Sequence, residues 1–342
     1  MATPAGPAPR LGICTVLSES KRILNAHSRH FLALSVLFLL PLSFSLVVYP
    51  TLIQLLADPT PNNSQVLLRS PPFNFHDHYH QQKPPISSNT LILSLLYSLF
   101  VFAFSLFAVG SITFSVFHGF YGRPVKFVSA IKSIFTSFFP LLATLIISQV
   151  ILSLFAIAFG LFLFLVTRVI KLFGIEVEYS SPYFVTLYGV VLLLLAMVFV
   201  YLQVNWTLAY VVVVVESSWG FEPLRRSASL IKGMRGVALS SLLFFGTFAG
   251  VVVWTGAVSA VGSDGASEGW KSWGFVVQIV VTSTLLMLLL LYNAAANTVL
   301  YMYCKAIHGE LAIEIAEEFA REYVSLPFDD GKVPHIVSVV IS

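Results

Sequence analysis

Six stretches of this chain run without a single Asp, Glu, Lys or Arg: residues 31–56, 91–117, 138–167, 183–215, 237–261 and 275–304. Each is long enough to cross a bilayer as a helix, which takes about 20 apolar residues. In lipid the backbone must satisfy its own hydrogen bonds, so runs of this kind fold as spanning helices. Charged residues make up 10% of the chain, against about 25% in soluble domains. The expected fold class is an all-α integral membrane protein with six transmembrane helices. The transmembrane domain covers 31–304, after an N-terminal tail over 1–30 and before an acidic tail over 305–342. Pro41 and Pro50 should kink the first run. The fourth is longer than a bilayer requires, so tilt or extension beyond the membrane is expected.

The segment between the fourth and fifth runs, ESSWGFEPLRRSASLIKGMRG from Glu216, holds four of the 19 basic residues. Pro223 suits the first position of a helix, where its missing N–H is no loss. At 100° per residue Leu224, Ser227, Leu230, Ile231 and Met234 share one arc, and Arg225, Arg226, Ser229 and Lys232 the opposite one. With Arg235 close behind, this reads as a basic amphipathic helix in the membrane surface, its cations toward anionic lipid. A polar loop whose charges only set topology is the alternative. Two further segments share the pattern. Before the first run, Ile13, Leu17, Ser20 and Leu24 oppose Lys21, Arg22, Asn25 and Arg29. Before the third, after Pro124, Phe127, Val128, Ile131, Ile134 and Phe135 oppose Arg123, Lys126, Ser129 and Ser133, with Lys132 nearby. Lys21, Lys132 and Lys232 hold comparable places, so a threefold repeat of interfacial helix plus transmembrane hairpin is one reading of the chain.

With the N-terminus inside, fourteen basic residues fall in cytosolic segments and five, Arg69, Lys83, Arg168, Lys171 and Lys271, on the opposite side. The positive-inside rule then places both termini in the cytosol. After Cys304, Leu311, Ile315 and Phe319 recur every four residues among Glu310, Glu314, Glu317, Glu318 and Glu322, which predicts a helix over about 305–324. Its acidic surface is read as solvated in preference to paired with the basic segments, and it offers a docking place for a cytosolic protein. Ile336 to Ile341 is a short β-prone run.

Chemistry-bearing motifs are few. The chain lacks HExxH, GxSxG and P-loop patterns and paired intramembrane carboxylates, so no enzyme activity and no cofactor is expected. No basic patch or motif points to nucleic acid. The amides within the runs include Gln149, Gln203, Asn205, Gln278, Asn293 and Asn297. Asn293 and Asn297 lie one turn apart, and hydrogen bonding between helices is preferred over a polar pathway. Gly246 with Gly250, and Ala156 with Gly160, favour close helix packing. His76, His78 and His80 alternate in HDHYH, but without cysteines or a compact zinc spacing they read as a polar loop. Asn62 opens a glycosylation sequon close to the first run, and Cys304, at the cytosolic end of the sixth, is a palmitoylation candidate. Cys14 and Cys304 sit on the same, reducing side and form no disulfide framework.

The stretches SKRILNAHSRHFLALSVLFLLPLSFSLVVYPTLI and VVVVESSWGFEPLRRSASLIKGMRG resemble an uncharacterised plant family of six-span membrane proteins. Some of its members are labelled as partners of a poly(A)-binding protein, a label these residues do not explain. The repeated pattern is also similar to the membrane domain beside some glycerophosphodiester phosphodiesterases, without their catalytic domain. The resemblance implies a plant endomembrane or plasma-membrane setting and no catalytic residues. The expected function is non-enzymatic, with basic interfacial helices engaging anionic lipid or a partner. The alternative is a transporter or channel for a small neutral solute or lipid.

Overall fold

The computed structural model describes residues 12–57, 88–123, 125–172, 182–262 and 273–316. Among these residues there is no strand, and six helices are long and apolar enough to cross a membrane. The protein is an all-α, multi-pass integral membrane protein. Its elements are α1 (Ile13–Ala26), α2 (Ser28–Leu34), a π turn (Ser35–Leu39), α3 (Leu40–Ala57), α4 (Ser88–Phe120), α5 (Phe127–Leu172), α6 (Pro182–Trp206), α7 (Ala209–Glu216), α8 (Glu222–Leu230), α9 (Arg235–Gly262) and α10 (Trp273–Ile307). A last helical turn covers 310–316.

α10 is the axis of the molecule. It packs on α1, α3, α4 and α9 and touches α7 and α8. Small residues on one side of it, Ala295 and Ala296, let neighbours approach, and Val299, Leu300, Tyr301 and Met302 are fully buried around them. The outer helices carry large apolar side chains on their surface, such as Leu154 and Leu161 on α5 and Leu192 and Leu193 on α6. Lipid is as apolar as leucine, so these cost nothing there, and packing rather than water exclusion holds the bundle.

The first span adapts to Pro41 without a break. Proline has no N–H for the carbonyl one turn back, and its ring crowds that carbonyl. The π turn lies immediately before it, with the Leu40 N–H donating to the Ser35 carbonyl, so the helix widens where the proline needs room. The Ser35 hydroxyl also donates to the Phe31 carbonyl at 2.7 Å.

Three expectations change. The segment after Pro124 does not form a separate interfacial helix. It is the start of α5, whose 46 residues run roughly 69 Å at 1.5 Å each. The three proposed copies therefore differ: a break at His27 and a turn at 231–234 set off the first and third basic segments, and the second flows into its span. Among the described residues the glycine pairs take no part in packing, because nothing lies within 4 Å of a Cβ built at Gly160, Gly246 or Gly250. A close approach occurs instead at Gly119, where a Cβ would stand 3.1 Å from Ile23 of α1. Finally, the long fourth run does not simply tilt: it breaks at Thr207 and Leu208 into α6 and α7.

Candidate functional site

The break in the fourth span gathers polar side chains from α6, α8 and the break itself. Breaking a helix inside a membrane frees backbone groups that nothing in lipid can satisfy. Here side chains take them up. The Thr207 hydroxyl donates to the Gln203 carbonyl at 2.7 Å, and the Asn205 amide to the Tyr201 carbonyl at 2.8 Å. Ser227 of α8 serves two groups at once. Its hydroxyl accepts the Leu208 N–H at 3.2 Å and donates to the Asn205 carbonyl at 2.7 Å. Ser227 is fully buried, which is why it shares an arc with Leu224, Leu230, Ile231 and Met234, all of them buried too. The arc read from the sequence is correct, but it packs against protein. The Asn205 Oδ1 is buried and has no hydrogen-bond partner among the described residues.

Beyond the break, α7 carries its last residue, Glu216, into an ion cluster. Arg226 bonds Glu216 through Nε at 3.3 Å and pairs with Glu310. The Tyr301 hydroxyl donates to Glu216 at 2.8 Å, and Lys305, buried on α10, pairs with Glu314 at 2.7 Å. Hydrogen bonding from Arg226 holds the Glu310 carboxyl below its ordinary range, and the same bonds push the guanidinium above its own. The reading of the tail as a solvated acidic face is therefore corrected for its first turn. After the turn at Gly309, with φ +76, Glu310 reaches Arg226 of α8 and Glu314 reaches Lys305 of α10. Sequence reading missed this cluster. A lone Glu216 closing an apolar run was the available signal.

Three cavities surround α7. A first, of about 190 Å³, lies between the first span, α4, α7 and α10; its walls include Thr113, Thr207, Tyr210, Asn293 and Asn297. A second, of about 150 Å³, lies between α5, α6, α7 and α8, with Thr144, Ser148, Gln149, Gln203 and Tyr210 in its wall. A third, of about 530 Å³, opens between α4, α5 and the end of α7, and is lined by His118, Lys132, Ser129, Ser133, Thr136 and Ser217 among others. Asn293 and Asn297 do not bridge helices as expected. Their one mutual bond, at 3.4 Å, stays within α10, because both face the first cavity instead of a neighbouring helix.

The remaining basic residues divide. Arg225, Lys232 and Arg235 are exposed and line a groove of about 560 Å³ with Ile151, Leu202, Tyr201, Trp206 and Phe221. The Arg235 guanidinium sits 5.9 Å from the centre of the Tyr201 ring. Among the described residues none of these three cations forms an ion pair. Arg123, Lys126 and Lys132 are exposed at the start of α5, and Lys21 and Arg22 on α1, where Arg22 pairs with Glu19. Cys304 is fully buried with its sulfur 3.8 Å from that of Met234, so an acyl chain there would have to displace packed side chains. No group of three His, Cys, Asp or Glu that could hold a metal occurs among the described residues. Asn62, the HDHYH loop, residues 317–342 and the β-prone run lie outside them.

The chain belongs to the family defined by a domain of unknown function, DUF8558, which matches residues 8–331. No curated protein and no solved structure matches it.

Proposed function

We propose that this protein is a non-enzymatic membrane protein that holds an anionic phospholipid head group in the groove beside α8. One observation carries the reading. Arg225, Lys232 and Arg235 stand together, without carboxylate partners among the described residues, over a wall of Ile151, Leu202, Tyr201 and Trp206. A phospholipid has the same division, with charge at one end and hydrocarbon at the other. Amphipathic basic segments suit this role, each cation near an anionic surface contributing about 1 kcal/mol. The start of α5 carries a second surface of this kind, with Arg123, Lys126 and Lys132 beside outward-facing Phe127, Val128 and Phe135. The positive-inside count puts this face and both termini in the cytosol, and the resemblance to plant proteins suggests the endomembrane system or the plasma membrane.

The test uses the whole purified protein in nanodiscs of phosphatidylcholine with or without phosphatidylserine. Phosphatidylserine should raise the melting temperature at low salt, and less as salt rises. An Arg225→Gln, Lys232→Gln, Arg235→Gln variant should lose that increment and keep its stability in neutral lipid. Equal stabilisation by neutral lipid at every salt concentration would reject the proposal.

A further inference from the structure

The two smaller cavities at the break have a chemistry of their own. Neither is lined by an Asp, Glu, Lys or Arg. Both offer hydrogen-bonding groups on spanning helices, where polar side chains are expensive to keep. In the first, the Asn293–Asn297 bond leaves an amide N–H of Asn293 and a carbonyl lone pair of Asn297 open to the cavity. The hydroxyls of Thr113 and Tyr210 have no hydrogen-bond partner among the described residues, and both side chains line it. The apolar part of the wall includes Leu39, Leu42, Ile112, Val211 and Leu290, and the two other hydroxyls there, of Ser105 and Thr207, donate to the Phe102 and Gln203 carbonyls. An ion entering would lose its hydration with no counter-charge to replace it. A hydrocarbon would leave the amides unpaired. A small neutral molecule with both donors and acceptors meets neither cost. The volume of about 190 Å³ equals the liquid share of roughly six waters, at about 30 Å³ each, and so admits only a few heavy atoms.

Tyr210 belongs to the walls of both cavities, and with Ala209 it opens α7 directly after the break. Its ring therefore stands between them. Discontinuous helices of this kind recur where membrane proteins build solute sites at mid-depth. We propose that the two cavities form a route for a small uncharged polyol or amide, with the Asn293–Asn297 pair as its selective site and Tyr210 as its divider.

The protein should be reconstituted into liposomes and its permeability to glycerol and to urea followed by stopped-flow light scattering. Wild-type vesicles should equilibrate faster than protein-free vesicles with at least one of the two solutes, while their potassium leak is unchanged. Asn293→Leu with Asn297→Leu should remove the excess flux. Thr113→Val, which keeps shape and removes one hydroxyl, should lower it, by up to roughly tenfold for one lost hydrogen bond. Size-exclusion profiles in detergent distinguish loss of the route from loss of the fold. Wild-type vesicles no faster than protein-free ones for both solutes would overturn the proposal. So would excess flux that survives in a correctly folded double variant, or potassium leak that rises with solute flux.

Discussion

The segment Pro223–Arg235 and the start of α5 look alike on a helical wheel and behave oppositely. In the first, Leu224, Leu230, Ile231 and Met234 are each 3% exposed or less. In the second, Val128 is 77% and Phe135 73% exposed, and the stripe that packs inward is Ala130, Ser133, Ile134 and Ser137. The difference lies in what each faces. α8 lies across a broken span whose backbone needs Ser227. The start of α5 lies along α4, an intact helix with no backbone group to offer. An apolar arc thus says that a face is hidden from water, and its neighbours decide whether protein or lipid hides it.

The largest effect that bears on this contrast is a cavity. Leu230→Ala should cost about 2–5 kcal/mol in unfolding measured in detergent, as buried leucine truncations do. Phe135→Ala should leave stability nearly unchanged. Equal losses at the two sites would dissolve the comparison. Next is the hydroxyl that serves the break. Ser227→Ala leaves a buried N–H and a buried carbonyl unpaired and should cost about 1–3 kcal/mol. Ser129→Ala, at an exposed site of α5, should stay within about 0.5 kcal/mol. Arg226→Gln should cost about 1 kcal/mol, because its pairs are about a third exposed and solvent weakens them. Lys126→Gln, at the comparable place just before α5, should change nothing measurable by the same assay.

The smallest effect is a response to acid. The Glu310 carboxyl titrates below its unfolded value, so its contribution is complete above the ordinary carboxylate range and is lost as pH falls through the depressed folded value. The protection of amides over 310–316, corrected for the intrinsic pH dependence of hydrogen exchange, should therefore fall in acid and stay constant from neutral down to the ordinary carboxylate range. The α5 segment should show no such step. A step at neutral pH would assign the release to another group and reject the Arg226–Glu310 pair as its cause.

How much of this was legible follows from which interactions are local. Charge-free runs of sufficient length identify spans by themselves, and all six candidate spans overlap them. Burial of Ser227 beside leucines was visible as periodicity, though its purpose was not, because its partners Asn205 and Leu208 are about twenty residues away. The break itself had a weak local sign: Asn205 and Thr207 can bond their own backbone and so compete with the helix. The ion cluster had only a lone Glu216 closing an apolar run. Glu216, Arg226, Tyr301 and Glu310 come together through packing of α7, α8 and α10, which no window of sequence contains. The glycine pairs misled for a related reason, since a small residue permits close approach without supplying the helix that approaches.

The π turn before Pro41 carries a consequence for how this chain tolerates length changes. A π turn holds one residue more than the α-helical turn it replaces, so the first span contains a natural one-residue insertion. Deleting an outward-facing residue there, such as Val36, would restore a regular α-helix. Because the π turn spreads the inserted residue over one turn, its loss would leave the segment before it in nearly the same rotation relative to α3, with His30 still beside Ser115, now 3.0 Å away, and Phe31 and Leu34 still in the core. A deletion elsewhere in the span would instead rotate the preceding residues by about 100°. The cost left to a deletion across 35–39 is the crowding of Pro41 against a regular helix, so such deletions should be the mildest in the span.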